Sequence, residues 1–467
     1  MAVKSFPKNF IWGAGTSAFQ IEGGVHEAGR GESIWDRYTH EKGRIADGSN
    51  ADVACDHFNR MPEDVALMKG LGLGSYRFSI AWPRVFPQGR GVANSAGLDF
   101  YDALVDNLLE AGIRPFPTLY HWDLPQTLQD QGGWANRDIV DAFAEYSQAV
   151  TRRLGDRVKQ WVTHNEPWCI AVLGHEEGAH APGFKDPVKA LQVSHHLLLS
   201  HGRATRIIGQ EVAGAEVGIV NNYCPAYPAS DSAGDHDAAR WFDGFFNRWF
   251  LDPIFHGKYP EDAIADRVAR GHLPGSELPF VKDGDMAEIA APQDFLGINY
   301  YSRNVMRANK EGQPEAVAMA PKEDLTDMEW EVFPEGLFKS LTDLNKNYAP
   351  KKIYIAENGA AYDVAAHKDG RIADEKRVAY LHSHLLALHR AIDAGVPVDG
   401  YYLWSLFDNF EWALGYEKKF GLYAIEEKTL DRLPKDSANW YRNVVAANAI
   451  DDSPPSPIQG ETRAKKV

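Results

Sequence analysis

The sequence contains few cysteines, and none of them suggests a structural role. Its 467 residues include three, Cys55, Cys169 and Cys224, an odd number at wide spacing. A disulfide framework needs an even set of cysteines, and a structural zinc site needs closely spaced pairs. The sequence therefore indicates a reducing compartment, and we predict a cytoplasmic protein.

The chain is also short of positive charge and of long apolar segments. Its 65 Asp and Glu residues outnumber 49 Lys and Arg residues, which gives a net charge of −16. Such a protein repels phosphate backbones and anionic lipid surfaces. No run of about 18 apolar residues occurs, and the N-terminus lacks the apolar core of a signal peptide. We expect no nucleic-acid or membrane partner, while homo-oligomerisation is left open.

Several catalytic motifs are missing or incomplete. The serine-hydrolase motif G-x-S-x-G does not occur. His175 and His180 are five positions apart, whereas two metal ligands on one helix face are four apart. Residues 13–18 match the dinucleotide fingerprint G-x-G-x-x-A, but the glycine-rich segment after them is unsuited to the helix that this motif requires. We predict no metal and no cofactor, and nucleotide binding is a disfavoured alternative.

What the sequence does contain is a regular alternation of strand and helix patterns. Amphipathic helical segments, such as the one with Phe100, Leu104 and Leu108, separate short segments rich in β-branched and aromatic residues. Eight such segments are predicted strands: Phe10–Ala14, Ser75–Ile80, Arg114–Tyr120, Gln160–Asn165, Val217–Asn221, Phe295–Tyr300, Ile353–Glu357 and Gly400–Trp404. The alternation predicts parallel strands, and eight repeats favour an α/β fold of the closed (β/α)8 TIM-barrel type over an open sheet.

The length of the chain would suit several domains, but no linker divides it. We therefore predict one catalytic barrel domain over residues 1–450. Its long βα loops, notably Gly23–Asp56 and Tyr301–Pro334, are expected to form the active-site cleft. Residues 451–467, which contain three prolines and a basic end, are predicted to be a disordered C-terminal tail.

Two glutamates lie where predicted strands give way to loops. Glu166 follows the fourth strand and Glu357 ends the seventh. In a parallel barrel the carboxyl ends of all strands meet on one face, so these side chains can come together. A pair of carboxyl groups at such a place indicates glycoside hydrolysis.

The neighbours of the two glutamates suggest different roles. Most glutamates at strand ends are solvated, so the residues around each glutamate must indicate whether it has a catalytic role. Trp161 and Trp168 are expected to crowd Glu166, and apolar surroundings favour the neutral carboxyl of a general acid. Glu357 must stay ionised to act as a nucleophile, and Arg77 is the candidate cation. A structural ion pair of Arg77 is the alternative, and the two interpretations are compatible.

With these residues identified, the chain resembles glycoside hydrolase family 1, the β-glucosidase family, from about Phe6 to Val444. Seven motifs carry the resemblance in family order: Gln20-Ile21-Glu22-Gly23, Arg77-Phe78-Ser79-Ile80-Ala81-Trp82-Pro83-Arg84, His121-Trp122-Asp123-Leu124-Pro125, Asn165-Glu166-Pro167, Asn299-Tyr300-Tyr301, Glu357-Asn358-Gly359 and residues 404–412, Trp-Ser-Leu-Phe-Asp-Asn-Phe-Glu-Trp. The resemblance implies a (β/α)8 barrel with Glu166 as the acid/base and Glu357 as the nucleophile.

The resemblance also implies a sugar pocket built from groups that read hydroxyls and an aromatic face that covers the ring. The implied substrate-binding residues are Gln20, His121, Trp122, Asn165, Tyr301, Trp330, Trp404, Glu411 and Trp412. Arg77 and Asn299 would support the catalytic groups. Trp168 would lie on the leaving-group side with Trp330, and we expect Leu173, together with Cys169 and His180, to narrow the entrance.

Two positions depart from the family pattern without touching a catalytic group. Ala356 replaces a frequent threonine before the nucleophile, and His164 replaces an apolar or aromatic residue. We expect altered packing or pH response there.

Glu411 is more informative, because the 6-phospho-β-glycosidase branch generally has serine at its position together with a lysine–tyrosine phosphate clamp. A carboxylate facing a 6-phosphate is repulsive.

These observations predict a retaining β-glucosidase that acts on cellobiose, a product of cellulose degradation, and on aryl β-glucosides. Side activity on β-galactosides and β-fucosides is expected. The alternatives are a 6-phospho-β-glucosidase and a non-catalytic sugar-binding protein.

Overall fold

The protein folds around a closed barrel of eight parallel strands. A computed structural model describes residues 2–318, 320–366 and 370–455. In chain order the barrel strands are β1 (Ile11–Gly15), β2 (Ser75–Ser79), β3 (Arg114–Tyr120), β4 (Gln160–Asn165), β5 (Glu216–Asn222), β6 (Phe295–Asn299), β7 (Ile353–Asn358) and β8 (Val398–Trp404). Each strand pairs with the next, and β8 pairs with β1. The predicted (β/α)8 fold is confirmed, with strand ends shifted by two residues at most.

Helices connect the strands around the outside of the barrel. Those of eight residues or more are His57–Leu71, Ser95–Glu110, Ile139–Leu154, Cys169–Glu176, Pro187–Glu211, Ala233–Asp243, Trp249–His256, Glu261–Ala269, Pro334–Tyr348, Glu375–Asp393 and Asp436–Ala447. Shorter helices are Ala18–Ile21, Ile34–His40, Trp82–Val85, Gln126–Gln129 and Asp285–Ile289. Their buried faces and the outer faces of the strands form the larger apolar core.

Additional short strands lie outside the barrel. Ala226–Pro228, Asn304–Ala308 and Pro314–Ala316 form a three-stranded sheet in the long loops after β5 and β6. Tyr423–Ile425 pairs with Arg432–Pro434 after β8. These segments belong to loops that leave the carboxyl ends of the barrel strands, the face that carries the site of a TIM barrel.

Large apolar side chains fill the barrel interior. A separate buried cluster comprises Phe116, Val162, Val220, Phe295, Tyr354, Ala356 and Tyr402, contributed by six different strands. Room for these rings comes from glycines. A Cβ at Gly13 would lie 2.4 Å from the ring of Tyr402, and one at Gly15 would lie 3.2 Å from Trp404. The glycines of the dinucleotide-like motif thus serve the packing of β1 against β8, and only the four-residue helix Ala18–Ile21 follows them.

The two ends of the described chain meet. Val3–Ser5 pairs antiparallel with Ala449–Asp451, so the backbone remains paired one residue past the predicted domain boundary at 450. Residues 456–467, most of the predicted tail, lie outside the described residues. The single-domain assignment stays a prediction.

Candidate active site

Glu166 and Glu357 both lie at the carboxyl end of the barrel. Glu357 is the second-last residue of β7, and Glu166 follows the last residue of β4. Both are buried, with 7% and 3% of their surface exposed. Glu166 adopts a left-handed backbone conformation with φ of 50°, as do Trp122 and Trp412 with φ of 81° and 50°. Non-glycine residues in this region are strained, and such residues concentrate at functional sites.

One hydrogen-bond network joins the two glutamates. Arg77, from β2, donates to Oε1 of Glu357 at 2.5 Å and to Oδ1 of Asn165 at 2.6 Å. Asn299, the last residue of β6, donates to the same Asn165 oxygen at 3.0 Å and to Oε1 of Glu166 at 2.7 Å. The network therefore spans β2, β4, β6 and β7. It brings together both predicted catalytic residues and both predicted supporting residues.

Glu357 is surrounded by donors that favour its ionised form. The guanidinium of Arg77 binds Oε1, and the hydroxyl of Tyr301 donates to Oε2 at 2.6 Å. Burial raises the pKa of Glu357 above its ordinary value, and the charge of Arg77 and the hydrogen bond from Tyr301 act against that rise. A carboxylate held by a buried cation and a hydroxyl is kept charged and fixed in orientation.

Glu166 has weaker and neutral donors. The amide of Asn299 binds Oε1, and the thiol of Cys169 donates to Oε2 at 3.1 Å. Burial and the nearby charge of Glu357 raise the pKa of Glu166 to about 7. A proton shared by the pair therefore resides on Glu166, which leaves Glu357 ionised.

The predicted apolar crowding of Glu166 by Trp161 is wrong. Trp161 pairs with Val217 near the start of β4, five residues before Glu166. A strand rises about 3.3 Å per residue, so the two side chains originate about 16 Å apart. Burial beneath the loops raises the pKa of Glu166 instead. Trp168 does follow Glu166, and its ring packs on Phe246 with ring centroids 4.4 Å apart.

Gln20 and Glu411 form a polar corner beside the two glutamates. Gln20 is fully buried, and its amide donates to Asn409 Oδ1 at 3.0 Å and to the carbonyl of Phe410 at 2.9 Å. It also reaches Oε2 of Glu411 at 3.5 Å. Burial, the charge of Glu357 and the proximity of Glu166 raise the pKa of Glu411 to about 8. Asn409 is not among the predicted site residues, although it lies within the motif at residues 404–412.

His121 carries a free donor at the centre of the site. Its Nε2 faces the amide nitrogen of Asn165 at 3.2 Å. That nitrogen donates, because the oxygen of the same amide accepts from Arg77 and Asn299. The proton of His121 is therefore on Nδ1, which is buried and has no partner among the described residues. Burial lowers the pKa of His121 well below its ordinary value, so the ring is neutral.

Aromatic rings surround His121. It stacks on Trp404 and on Trp412, each with ring centroids 5.9 Å apart and planes within 14° of parallel. Trp122 packs on Trp412 at 4.4 Å. The indole N–H of Trp122 is donated to the carbonyl of Asn165 at 2.9 Å. Trp122 therefore shapes the site in this structure with its ring, and its N–H is occupied.

Other aromatic residues extend outward from the two glutamates. On the side of Glu357, Trp330 is half-buried and packs on Tyr301 at 5.1 Å. On the side of Glu166, Leu173 is also half-buried, and its carbonyl accepts the backbone N–H of His180. Trp330 therefore adds apolar surface next to the tyrosine that binds Glu357, and Leu173, within helix Cys169–Glu176, leaves part of an apolar side chain exposed.

Of the two departures from the family pattern, His164 lies away from the hydrogen-bond network, whereas the backbone carbonyl of Ala356 accepts from Arg77 at 3.2 Å. His164 stacks on Phe143 at 4.5 Å, and its Nε2 bonds to Ser200 at 2.8 Å, between the barrel and its helices. Ala356 belongs to the barrel interior cluster. In the segment where the 6-phospho-β-glycosidase branch has its lysine–tyrosine clamp, Lys419 is followed by Phe420, and Lys418 donates to the carbonyl of Asp327 at 2.9 Å. The phosphate alternative gains no support from this arrangement.

The part of the chain that the structure describes offers neither a metal site nor a membrane-spanning helix. No group of three His, Cys, Asp or Glu residues there could hold a metal ion. No helix among those residues is both long enough and apolar enough to cross a membrane.

Comparison with known proteins gives full-length matches. Beta-glucosidase A of Acetivibrio thermocellus is 48% identical, with 96% of this chain and 100% of the relative covered. The bifunctional beta-D-glucosidase/beta-D-fucosidase of Bifidobacterium breve is 41% identical, with 94% and 98% covered. The family 1 β-glucosidase from Thermotoga maritima matches in structure with a TM-score of 0.92 and 45% identity, covering 97% of this chain and 100% of that one.

That Thermotoga enzyme has also been solved with glucoimidazole, and this structure matches with a TM-score of 0.91 and 45% identity, covering 96% of this chain and all of that one. A family model described as glycosyl hydrolase family 1 matches residues 2–450. The family, the barrel and the paired carboxyl groups agree, and the chain belongs to glycosyl hydrolase family 1.

Proposed function

We propose that this protein is a retaining β-glucosidase that hydrolyses terminal, non-reducing β-D-glucosyl residues. The observation that carries the proposal is the unequal pair of buried carboxyl groups: Glu357 is bound by Arg77 and Tyr301, and Glu166 by neutral donors. A retaining glycosidase needs one ionised and one protonated carboxyl group. The relatives named β-glucosidase support the choice of sugar.

The reaction proceeds in two displacements. Glu166 gives its proton to the glycosidic oxygen while an oxygen of Glu357 attacks the anomeric carbon, and the aglycone leaves as an alcohol. Water then enters on the aglycone side and loses a proton to Glu166. The oxygen of that water bonds to the anomeric carbon, and Glu357 departs as a carboxylate. Each residue is thereby returned to its starting protonation state.

The remaining site residues position the sugar. The Nδ1–H of His121 is a donor without a partner in the described chain, and Glu411, in the polar corner with Gln20, offers its carboxyl group. Trp404 offers an apolar face beneath the ring, and Asn165, held by two donors, reads the 2-hydroxyl. Gln20, Trp412 and Trp122 complete the glucosyl pocket, and Trp168, Trp330 and Leu173 border the leaving group.

The substrates follow from this pocket. Cellobiose and aryl β-glucosides are the expected substrates, because aromatic residues line the leaving-group side. Activity on β-fucosides and β-galactosides is a secondary proposal, supported by the bifunctional Bifidobacterium relative. The protein acts without a cofactor on a small molecule, and the cytoplasmic location stays a prediction.

The test is hydrolysis of p-nitrophenyl β-D-glucoside followed by proton NMR. We expect β-glucose as the first product, with the α-anomer appearing only by mutarotation. First formation of α-glucose contradicts retention.

Parallel assays separate the alternatives. Cleavage restricted to the 6-phosphorylated substrate replaces the proposal with a 6-phospho-β-glucosidase. Binding of glucosides without cleavage of either substrate replaces it with a non-catalytic sugar-binding protein.

A further inference from the structure

Cys169 contacts the carboxyl group of Glu166 directly. Its backbone N–H donates to the carbonyl of Glu166 at 3.0 Å, so the two residues share one turn where helix Cys169–Glu176 begins. Its Sγ lies 3.1 Å from Oε2 of Glu166. The side-chain amide of Asn222, from the end of β5, donates to the same sulfur at 3.7 Å. The sulfur accepts one hydrogen bond and donates one, which directs the thiol proton at the carboxyl group.

The thiol keeps its proton over the working pH range. Cys169 is buried, and burial together with the charge of Glu166 raises the pKa of the thiol well above its ordinary value. A neutral thiol is a weak donor and a poor nucleophile. Cys169 is therefore suited to a hydrogen-bonding role and unsuited to covalent chemistry.

The two oxygens of Glu166 have different surroundings as a result. Oε1 accepts from the amide of Asn299, and Oε2 accepts from the thiol. The amide is the stronger donor, and a proton on Oε1 would weaken the bond from that amide. The carboxyl proton therefore resides on Oε2, where it weakens only the bond from the thiol. When this proton leaves for the glycosidic oxygen, the bond from Cys169 to Oε2 strengthens, because its acceptor has become charged.

We propose that Cys169 is a positioning residue for proton transfer, whose thiol holds Oε2 of Glu166 and stabilises the carboxylate that forms as the proton is delivered. The proposal deepens the proposed function and rests on Glu166 being the acid/base. The effect is specific to proton transfer, because Cys169 is not bonded to Glu357 or to any member of the polar corner at Gln20 and Glu411.

Other titratable groups act on the same carboxyl and define the background for a test. Those that interact with Glu166 or Cys169 from the elements packed around them are Glu357, Glu411, Arg77, Tyr301 and, further out, Glu177. All of them remain in place when only residue 169 is changed. A change in the pH profile of a Cys169 variant therefore reports the thiol bond.

The experiment compares Cys169→Val, which removes the donor at similar volume, with Cys169→Ser, which supplies a stronger donor. The readout is the pH dependence of kcat/KM for p-nitrophenyl β-D-glucoside. We expect the alkaline limb to move up by about 0.5 pH unit in Cys169→Val, equivalent to about 0.7 kcal/mol, because the carboxylate loses a donor. In Cys169→Ser it moves down. The matched control is Cys224→Ser, because Cys224 is a half-buried thiol that donates to the carbonyl of Ser302 away from Glu166. We expect this variant to leave the alkaline limb of the pH profile unchanged.

Shifts of the same sign in both Cys169 variants, or no shift in either, overturn the proposal while leaving the proposed function standing. Carbon-13 NMR titration of the Glu166 carboxyl, assigned by its loss in Glu166→Gln, measures the same shifts without turnover. It tests the thiol bond even if the wild-type protein fails to hydrolyse glucosides, an outcome that contradicts the proposed function alone.

Discussion

Glu166 and Glu357 are nearly equal in burial but differ in what surrounds them. Glu357 is bonded to a guanidinium and a phenol, whereas Glu166 is bonded to an amide and a thiol. Burial by itself raises the pKa of both carboxyl groups. The difference in donors therefore decides which of them holds the proton, and so which is the acid and which the nucleophile.

Removal of Glu357 should have the largest effect. We expect Glu357→Ala to lower kcat by about 10⁵- to 10⁶-fold, the scale at which loss of a covalent nucleophile is felt. Added azide should attack from the vacated side and give α-glucosyl azide, detected by proton NMR. Formation of β-glucosyl azide instead would show that Glu357 is the acid/base, and the roles assigned to the two glutamates would have to be exchanged.

Glu166→Gln should have a smaller effect that depends on the leaving group. Loss of general acid catalysis costs about 10²- to 10⁴-fold in kcat/KM for a poor leaving group such as that of cellobiose. An activated dinitrophenyl glucoside needs no proton and should keep most of its rate of glycosylation. The exposed Glu427, between strands Tyr423–Ile425 and Arg432–Pro434, provides the control Glu427→Gln. Equal losses on both substrates would argue against Glu166 as the acid.

Arg77→Met should move the donor surroundings of Glu357 toward those of Glu166. We expect kcat/KM to fall by about 10²- to 10³-fold through loss of a preorganised charge. The acid limb of the pH profile should move upward, because without the guanidinium the pKa of Glu357 rises and its ionised form is lost at a higher pH.

Arg84→Met is the matched control for Arg77. Arg84 is also fully buried and pairs with Glu22 at 3.0 Å, away from the network of the two glutamates. Breaking either buried pair should cost about 3–5 kcal/mol of unfolding free energy, measured by denaturant titration. An acid limb that moves equally in both variants would show that Arg77 acts through stability alone.

Leu173→Ala should have the smallest effect, confined to the side of Glu166. We expect inhibition by glucose and the KM for aryl glucosides to change by about two- to fivefold, less than for a methylene in a closed pocket, because Leu173 is half-buried. The control is Leu109→Ala, which is 41% exposed at the end of helix Ser95–Glu110. Unchanged inhibition by glucose and unchanged aglycone preference would contradict the prediction that Leu173 narrows the entrance of the site.

Most of the fold followed from the sequence because it rests on local patterns. The strand ends at Asn165 and Glu357 are marked by apolar runs that stop at polar residues, and these boundaries were within one residue of the observed ones. The error at Trp161 has a physical reason. Residues five apart along a strand are close in sequence, but they lie far apart in space and on opposite faces of the sheet.

The alternation of eight strands with helices, and the position of a glutamate at or directly after the end of two strands, are properties of short segments and can be read from the residues. Which donor reaches which carboxyl oxygen depends on the folded barrel. Arg77 meets Glu357 across 280 positions, and Asn299 meets Glu166 across 133. Such pairings depend on barrel closure and strand register, which bring distant side chains within hydrogen-bonding distance.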